Sequence, residues 1–234
     1  NFRKMNKSYR FPSFSTISGA GPNSAIIHYK ASKKSDRTLK IGDLYLVDSG
    51  GQYSFGTTDV TRTISLDNKS NFIRDIYTRV LKGHIAVSAY KIRKKSRGSD
   101  IDRSARKSLR KVKLDYPHGT GHGVGYFLNV HEGPQSFSKN NKIKLKPGMI
   151  ISNEPGYYKE GYFGIRIENL IYIKKNKFEE LTMAPIEKDL IKKEMLNKKE
   201  ISWLNKYHGK VKKNLFKFMN LEEKFYLIEA CSPI

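Results

Sequence analysis

Two acidic residues stand inside apolar, strand-like segments, and this placement limits the fold more than any other feature of the chain. Residues 44–48 are mostly apolar until they end on Asp48, and Glu168 is flanked on both sides by isoleucine and leucine. Burying a carboxylate is costly unless a cation or hydrogen-bond donors compensate for the lost water. The fold must therefore bring positive charge or a metal ion to these acids.

Acids and histidines recur in three glycine-rich segments, residues 48–63, 118–134 and 153–169. Taken one at a time they are weak indications, because turn aspartates and tight glycine loops are common. Together they supply four carboxylates and a histidine, a donor set that suits two hard or borderline divalent cations. A thiolate site is not expected, because the single cysteine, Cys231, lies near the C-terminus.

Local patterns predict the elements around the first segment. Residues 44–48 and 60–66 are predicted to form two strands paired around the loop 50–59, because the first is apolar and the second is rich in β-branched residues. Apolar residues at helical spacing predict an amphipathic helix over residues 71–90, with Ser70 as its N-cap.

Further along, Asp100 is predicted to cap a second helix. Residues 149–154 and 163–173 are predicted to be strands, and residues 187–229 are predicted to be helical. Strands and helices alternate without regular βαβ spacing, which favours an α+β fold over a doubly wound sheet.

The formal net charge of +23 would suit a nucleic-acid or acidic-membrane partner. The basic residues are spread along the chain, however. The densest stretch, residues 91–113, has eleven Lys or Arg against two Asp and no interleaved aromatics. We interpret it as a solvated face and do not expect nucleic acid as a partner. No apolar run approaches the ~20 residues of a membrane helix, and one cysteine suits a reducing cytoplasm.

The candidate ligands follow one another in the order Asp, Asp, His, Glu, Glu, and they are Asp48, Asp59, His122, Glu154 and Glu168. This order resembles the ligand pattern of the pita-bread metallopeptidases, which include methionine aminopeptidase, prolidase and aminopeptidase P. The surrounding segments GTTDVTRT, HGTGHGVGYFLNVHEGP and EPGYY…GIRIEN are most similar to aminopeptidase P, in its long eukaryotic-like branch.

The resemblance implies an α+β pita-bread fold of the creatinase and methionine aminopeptidase kind. A single catalytic domain would cover residues 1–234, with residues 187–234 as its C-terminal helical extension. The family domain usually begins with further helices, so this domain is expected to be N-terminally truncated and to lack its first helices.

The resemblance also implies a role for each candidate ligand. Asp48 would chelate one metal ion, and Asp59 and Glu168 would bridge both. His122 and Glu154 would complete the shell of the second ion, and Glu154 would also carry a proton during catalysis. Two divalent ions are expected, Mn²⁺ first, with Zn²⁺ or Co²⁺ as alternatives.

Three more histidines, His28, His118 and His131, match family positions that line the substrate cleft. His131 is expected near the scissile carbonyl or the leaving group. Tyr157 and Tyr158 follow a Pro-Gly turn and are assigned either to the pocket or to the core.

Arg166 lies two residues before Glu168, on the same strand face by alternation. It is expected to orient a metal ligand, and a surface ion pair is the alternative. His84 is expected to be structural, and His208 to pack in the C-terminal helical region or to form an oligomer contact.

The implied activity is hydrolysis of the bond between an N-terminal residue and a following proline, with Xaa-Pro peptides as substrates. A prolidase-like dipeptidase is the nearest alternative. An inactive fragment and a non-catalytic binding module are the others, and the presence of all five ligand residues argues against the binding module. The resemblance further implies a homodimer formed through this domain.

Overall fold

The computed structural model describes residues 2–234, and its strands and helices alternate irregularly along the chain. The strands are β1 (Tyr9–Pro12), β2 (Ile17–Ala20), β3 (Leu44–Ser49), β4 (Gly51–Tyr53), β5 (Gly56–Thr57), β6 (Val60–Ser65), β7 (Gly121–His122), β8 (Ser136–Phe137), β9 (Ile150–Asn153), β10 (Gly156–Lys159), β11 (Phe163–Arg166), β12 (Asn169–Lys174) and β13 (Lys177–Glu180). The α-helices are α1 (Asn71–Ser88), α2 (Gly98–Arg110), α3 (Lys198–Leu215) and α4 (Leu221–Ala230).

Strand β3 lies between β2 and β6 in an antiparallel sheet. The predicted pairing of two strands around residues 50–59 is confirmed, and the register places Asp48 opposite Thr61. The connecting segment is more ordered than a loop. It contains β4 and β5, which pair with each other, and β4 also pairs with β1. This arrangement brings Asp48 and Asp59 to the same end of the β3–β6 pair.

The prediction of one strand over residues 163–173 is wrong, because the strand is broken beside Glu168. Strand β11 pairs with β10, whereas β12 pairs with β9 and β13. Between them, the Ile167 amide donates to the Pro155 carbonyl, and the Glu168 amide donates to the carbonyl of Thr61. These bonds turn Glu168 toward β6. Strand β9 is confirmed and is slightly shorter than predicted.

Helix α1 is confirmed, with Ser70 at its N-cap accepting a hydrogen bond from the amide of Ile73, and it ends two residues earlier than predicted. Its apolar side is buried in the larger of the hydrophobic clusters. Gly83 permits close packing on α2, because a β-carbon there would lie only 2.5 Å from the carbonyl oxygen of Ala105.

Helix α2 begins at Gly98, so the prediction of Asp100 as its N-cap is wrong. Asp100 lies in the first turn, where its carboxylate accepts from the Arg97 amide at 3.0 Å. The interpretation of residues 91–113 as a solvated face is wrong for two residues on the inner side. Asp102 and Arg106 are both buried and form an ion pair at 3.0 Å.

The C-terminal region is less helical than predicted, since α3 begins only at Lys198 and α4 follows after a short 3₁₀ turn. Apolar residues of α3 and α4 share one hydrophobic cluster with α1 and β11. The Trp203 ring stacks on the ring of Tyr207 with centroids 5.4 Å apart. No described helix is both long and apolar enough to span a membrane.

Candidate metal centre

Every acid and histidine selected from the three glycine-rich segments lines one cavity of about 460 Å³. Its polar wall consists of His28, Asp48, Asp59, His118, His122, His131, Glu154, Arg166 and Glu168. Apolar residues also line the cavity, and they include Phe14, Ile17 and Ile27. Polar residues that lie up to 140 positions apart in sequence are therefore brought to one place by the fold.

The hairpin supplies two buried aspartates to this cavity. Asp48 is 7% exposed and Asp59 is 5% exposed. In each carboxylate, Oδ1 has no hydrogen-bond partner among the described residues. Burial raises the pKa of Asp48 to about 7, with Arg166 opposing the shift and Asp59 adding to it. Unpartnered buried carboxylate oxygens are costly, and a bound cation would satisfy them.

His122 ends β7 with its ring oriented toward the acids. Its Nε2 lies 3.5 Å from Asp59 Oδ2 and 3.4 Å from Glu154 Oε1. Its Nδ1 lies 2.9 Å from the Gly123 carbonyl oxygen, which can only accept, so Nδ1 carries a proton. Burial lowers the pKa of His122, but the carboxylates of Asp59 and Glu154 outweigh this and raise it to about 9. Nε2 is thus the nitrogen available to a metal ion.

Glu154 and Glu168 complete the acidic wall from the ends of β9 and β11. The Ser152 hydroxyl donates to Glu154 Oε1 at 3.1 Å, and the Thr61 hydroxyl donates to Glu168 Oε2 at 2.7 Å. Glu168 is 1% exposed. Burial, together with the nearby negative charges of the other acids, raises its pKa well above the ordinary value. A cluster that raises the pKa of its own acids is one in which positive charge is missing.

The donor set fits a divalent metal centre. One ligand atom each from Asp59, His122 and Glu168 lie within 4.8 Å of one another. Asp48 and Glu154 line the same cavity wall, which contains no cysteine. Carboxylate oxygens with a single imidazole suit Mn²⁺, Co²⁺ or Zn²⁺ better than a soft thiolate-preferring ion.

Arg166 is 2% exposed, which rules out the alternative of a surface ion pair. Its Nη2 donates to Asp48 Oδ2 at 2.7 Å, and its Nε donates to the Thr61 hydroxyl at 3.1 Å. Its Nη1 donates to the hydroxyl of Tyr158 at 2.7 Å. The guanidinium group therefore joins one aspartate of the wall to the hydroxyl that holds Glu168.

The three additional histidines differ in their environments. His118 is half-buried, and burial lowers its pKa to about 4, so its ring is neutral and Nε2 accepts from the Tyr158 hydroxyl at 2.9 Å. His131 is exposed, and its ring centroid lies 4.2 Å from that of His122. His28 is exposed at the cavity wall. Tyr157 and Tyr158 both pack against the hydrophobic core, and the Tyr158 hydroxyl also bonds to His118 and Arg166.

The two remaining histidines lie in the interior, away from the cavity wall. His84 Nδ1 donates to the Ile167 carbonyl oxygen at 3.2 Å, and His208 Nε2 accepts from the Ile186 amide at 3.1 Å. Both are fully buried. The structural assignment of His84 is confirmed, and His208 packs inside the chain and is not available for an oligomer contact.

Two hydroxyl residues that contact the candidate ligands were not identified from the sequence. Thr61 donates to Glu168, and Ser152 donates to Glu154 and accepts from the His122 amide at 2.9 Å. Each stands two positions from an acid, on the same strand face by alternation. That spacing was a usable indication, although many strand hydroxyls share it.

Such a cavity, set in a mixed fold of small antiparallel sheets covered by helices, fits a protein that binds a divalent metal ion. Comparison with known proteins agrees. The sequence model of metallopeptidase family M24 matches residues 1–175, and the model of the C-terminal region of peptidase M24 matches residues 175–234. The chain belongs to metallopeptidase family M24, and the predicted family resemblance is confirmed.

Individual relatives support the same conclusion. The chain is 42% identical to a probable Xaa-Pro aminopeptidase P of Laccaria bicolor, covering 100% of this chain and 39% of that protein. It is 46% identical to aminopeptidase P2 of Arabidopsis thaliana, covering 90% of this chain and 32% of that one. The chain therefore spans about a third to two fifths of the length of these relatives.

Solved structures confirm the pita-bread fold. The X-prolyl aminopeptidase of Caenorhabditis elegans, described as a cytosolic enzyme with a di-nuclear active site, superposes with a TM-score of 0.93 at 38% identity, over 99% of this chain and 40% of that one. The prolidase of Pyrococcus furiosus superposes with a TM-score of 0.71 at 33% identity, over 77% of this chain and 52% of that one.

Proposed function

We propose that this chain is the catalytic part of a dinuclear metallo-aminopeptidase that removes the residue preceding a proline from the N-terminus of a peptide. The observation that carries the proposal is the convergence of four carboxylates and the Nε2 of His122 on one cavity, with two buried carboxylate oxygens unpartnered. The choice of Xaa-Pro substrates is supported by the similarity to Xaa-Pro aminopeptidases of fungal, plant and nematode origin.

Five residues would hold the two ions. Asp48 would bind one, Asp59 and Glu168 would bridge both, and His122 with Glu154 would bind the other. Two divalent cations in this position would supply Lewis acidity and a water of lowered pKa. We propose Mn²⁺ as the resident metal, with Zn²⁺ or Co²⁺ as alternatives that the same donor set accepts.

The protein side chains would bind the substrate and move its protons. Glu154, whose Oε1 faces His122, would take a proton from the attacking water and pass it to the proline nitrogen as the C–N bond breaks. His131 is exposed beside His122, where it would contact the scissile carbonyl or the leaving group. His28 and His118 would line the cleft, and Arg166 would keep Asp48 in place.

A prolidase-like dipeptidase is the second candidate, supported by the superposition on the Pyrococcus furiosus prolidase. Both activities need the same acids and differ in whether the cleft accepts peptide beyond the proline. A non-catalytic binding module would give no reason to collect four acids whose burial is costly. A homodimer, a cytoplasmic location and the absence of nucleic-acid partners remain part of the proposal. The cytosolic nematode enzyme supports the location.

Metal content and peptide hydrolysis measured on one purified sample test the proposal. We expect about two metal ions per chain and Mn²⁺-stimulated release of the first residue from an Xaa-Pro-Xaa tripeptide. Cleavage of Xaa-Pro dipeptides alone would favour the prolidase alternative. A folded protein with neither metal nor activity would overturn the proposal and favour an inactive fragment or a binding module.

A further inference from the structure

Arg62 is a buried cation that does not line the metal-centre cavity, and none of its hydrogen bonds to the described residues goes to a carboxylate. It follows Thr61 on β6 and is 8% exposed. Its guanidinium group donates to uncharged oxygens, namely the carbonyls of Thr61, Glu168, Ala184 and Pro185, the side-chain oxygen of Asn169 and the hydroxyl of Tyr207. The carboxylate of Glu180 is near enough to interact with this charge and accepts from Asn169, but it does not contact the guanidinium group. A buried cation without a direct ion pair is expensive, so its position needs an explanation.

One edge of the guanidinium group fixes the backbone of the candidate bridging acid. Nη1 donates to the carbonyl oxygen of Glu168 at 2.6 Å and to that of Thr61 at 2.8 Å. The same two residues are joined by the bond from the Thr61 hydroxyl to Glu168 Oε2 and by the bond from the Glu168 amide to the Thr61 carbonyl. Arg62 therefore fixes the backbone at both ends of the bond that orients this carboxylate.

The opposite edge of the guanidinium group is held by the C-terminal region. Nε donates to the Pro185 carbonyl oxygen at 2.7 Å, and Nη2 lies 3.1 Å from the hydroxyl of Tyr207 on α3. That hydroxyl is also 2.8 Å from the carbonyl oxygen of Ala184, to which it donates. Tyr207 is 3% exposed and stacks on Trp203, so its position is set by the helix.

We propose that Arg62 and Tyr207 are positioning residues for Glu168, through which the C-terminal helix α3 sets the geometry of the metal centre. Neither residue lines the cavity, and both act through the backbone on which Glu168 stands. This inference rests on the proposed function, because it assumes that Glu168 binds metal. It gives a role to the C-terminal segment around Trp203 and Tyr207, whose residues do not reach the site.

The test compares Tyr207→Phe and Arg62→Lys with the control Tyr172→Phe in the full 234-residue chain. The Tyr207→Phe change removes one hydroxyl, and Arg62→Lys keeps the charge but loses the planar fork of donors. Tyr172 lies on β12, and its hydroxyl donates to Glu179 at 2.7 Å, on the exposed β12–β13 hairpin. The control thus removes a comparable hydrogen bond that has no connection to Glu168.

Each protein is titrated with Co²⁺ alone, the visible absorption bands are recorded, and unfolding of the metal-free form is measured beside them. We expect about 10- to 100-fold weaker Co²⁺ binding for Arg62→Lys, the range typical of residues that orient a ligand. For Tyr207→Phe we expect a smaller loss in the same direction. Both variants should show altered band intensities, and the control should match the wild type.

Wild-type affinity and spectra in both variants, with only the unfolding midpoint lowered, would show that the two residues are structural and would overturn the inference alone. If Arg62→Lys does not fold, Tyr207→Phe decides the outcome by the same criterion. Failure of the wild-type chain to bind Co²⁺ would overturn the proposed function and this inference with it.

Discussion

Asp59 and Glu168 are both costly to bury and are both candidate bridging ligands. Both are nearly inaccessible, and each offers an oxygen within 4.8 Å of a ligand atom of the other. Like charges this close disfavour one another unless a cation lies between them. Their side chains should therefore matter far more to metal binding than to the stability of the metal-free fold.

We predict that Asp59→Asn or Glu168→Gln abolishes metal-dependent peptidase activity, because each removes a metal ligand. The secondary structure should stay nearly unchanged, because the neighbouring acids repel the lost negative charge when no metal is bound. Metal content, hydrolysis and circular dichroism measured on the same preparation check this. The exposed Glu160→Gln is the control and should behave as the wild type. Full activity in either site variant would overturn the ligand assignment.

His131 is predicted to act on the substrate and not on the metal. The His131→Ala change should lower kcat by about 100-fold or more, the usual contribution of a positioned acid–base group, with metal content near normal. The ring of His131 is exposed next to His122, so a substrate bound there can contact it. Loss of metal from this variant would identify His131 as a ligand.

His208 should make folding sensitive to acid. Burial lowers its pKa to about 4 from an ordinary 6.5, and the positive charges of Lys188 and Arg62 add to the shift. Because the folded state favours the neutral ring, its stabilising contribution is complete above pH 6.5 and is lost as the pH falls toward 4.

We predict that the free energy of unfolding of His208→Gln falls less steeply across this pH window than that of the wild type. Denaturant unfolding at several pH values within it measures both slopes. His84, whose pKa burial lowers to about 3, should keep some acid sensitivity in the variant. Parallel curves for the two proteins would show that His208 does not titrate on unfolding.

At the scale of elements, helix α2 positions the loop that carries His118. Arg106 pairs with Asp102 and donates to the carbonyl oxygens of Tyr116 and His118. Asp102 in turn accepts from the Thr120 hydroxyl at 2.7 Å. A basic stretch that appears to be a solvated surface in the sequence thus has an inner side that supports the cavity wall.

We predict that Asp102→Ala destabilises the protein by about 3 kcal/mol, because the buried Arg106 Nε and the Thr120 hydroxyl lose their acceptor and Arg106 keeps only the partly exposed Asp115 as an ion-pair partner. Asp100→Ala in the same helix removes only an interaction of the first turn and should cost about 1 kcal/mol. Denaturant unfolding compares the two variants directly. Equal losses would mean that the buried pair contributes no more to stability than the first-turn interaction of Asp100.

The broken strand beside Glu168 shows where prediction of elements from the sequence fails. Residues 163–173 have the apolar pattern of one continuous strand, and nothing local distinguishes the break. The break exists because the Glu168 amide bonds to Thr61, which is distant in sequence. Helix α1 was predictable for the opposite reason, since its cap and its apolar periodicity are both local.

For the whole molecule, the packing of α1, β11, α3 and α4 in one cluster connects the two parts of the chain that the family descriptions match separately. Metal ions at the cavity would join β3, β6, β7, β9 and the end of β11. Anything that binds the native state alone adds to its stability by mass action.

We predict that Mn²⁺ at 100 times its Kd stabilises the metal-free protein by about 2.7 kcal/mol. For a chain of this size that corresponds to a rise in Tm of roughly 5–10 °C. Thermal unfolding in a chelator and then in Mn²⁺ measures the shift, and Asp59→Asn provides the control that should not respond. An equal shift in the control would place the stabilising ion elsewhere.

The sequence by itself determined the candidate ligands through the pattern of acids and histidines, and it determined the family and the α+β pita-bread fold through the resemblance of its motifs to known metallopeptidases. The acids in apolar or glycine-rich segments can be recognised without coordinates, and all of them line one cavity.

Only the tertiary structure decided how Glu168 is turned, which oxygens lack partners, and which cations are buried around the site. Arg62 and Arg106 appear in the sequence as ordinary basic residues, yet both are buried and donate to backbone carbonyls of other segments. Arg166 was expected to orient a metal ligand, and the structure shows that it donates to Asp48. The physical reason is that burial and hydrogen-bond partners arise from contacts between strands and helices that are far apart in sequence. Local pattern contains no information about those contacts.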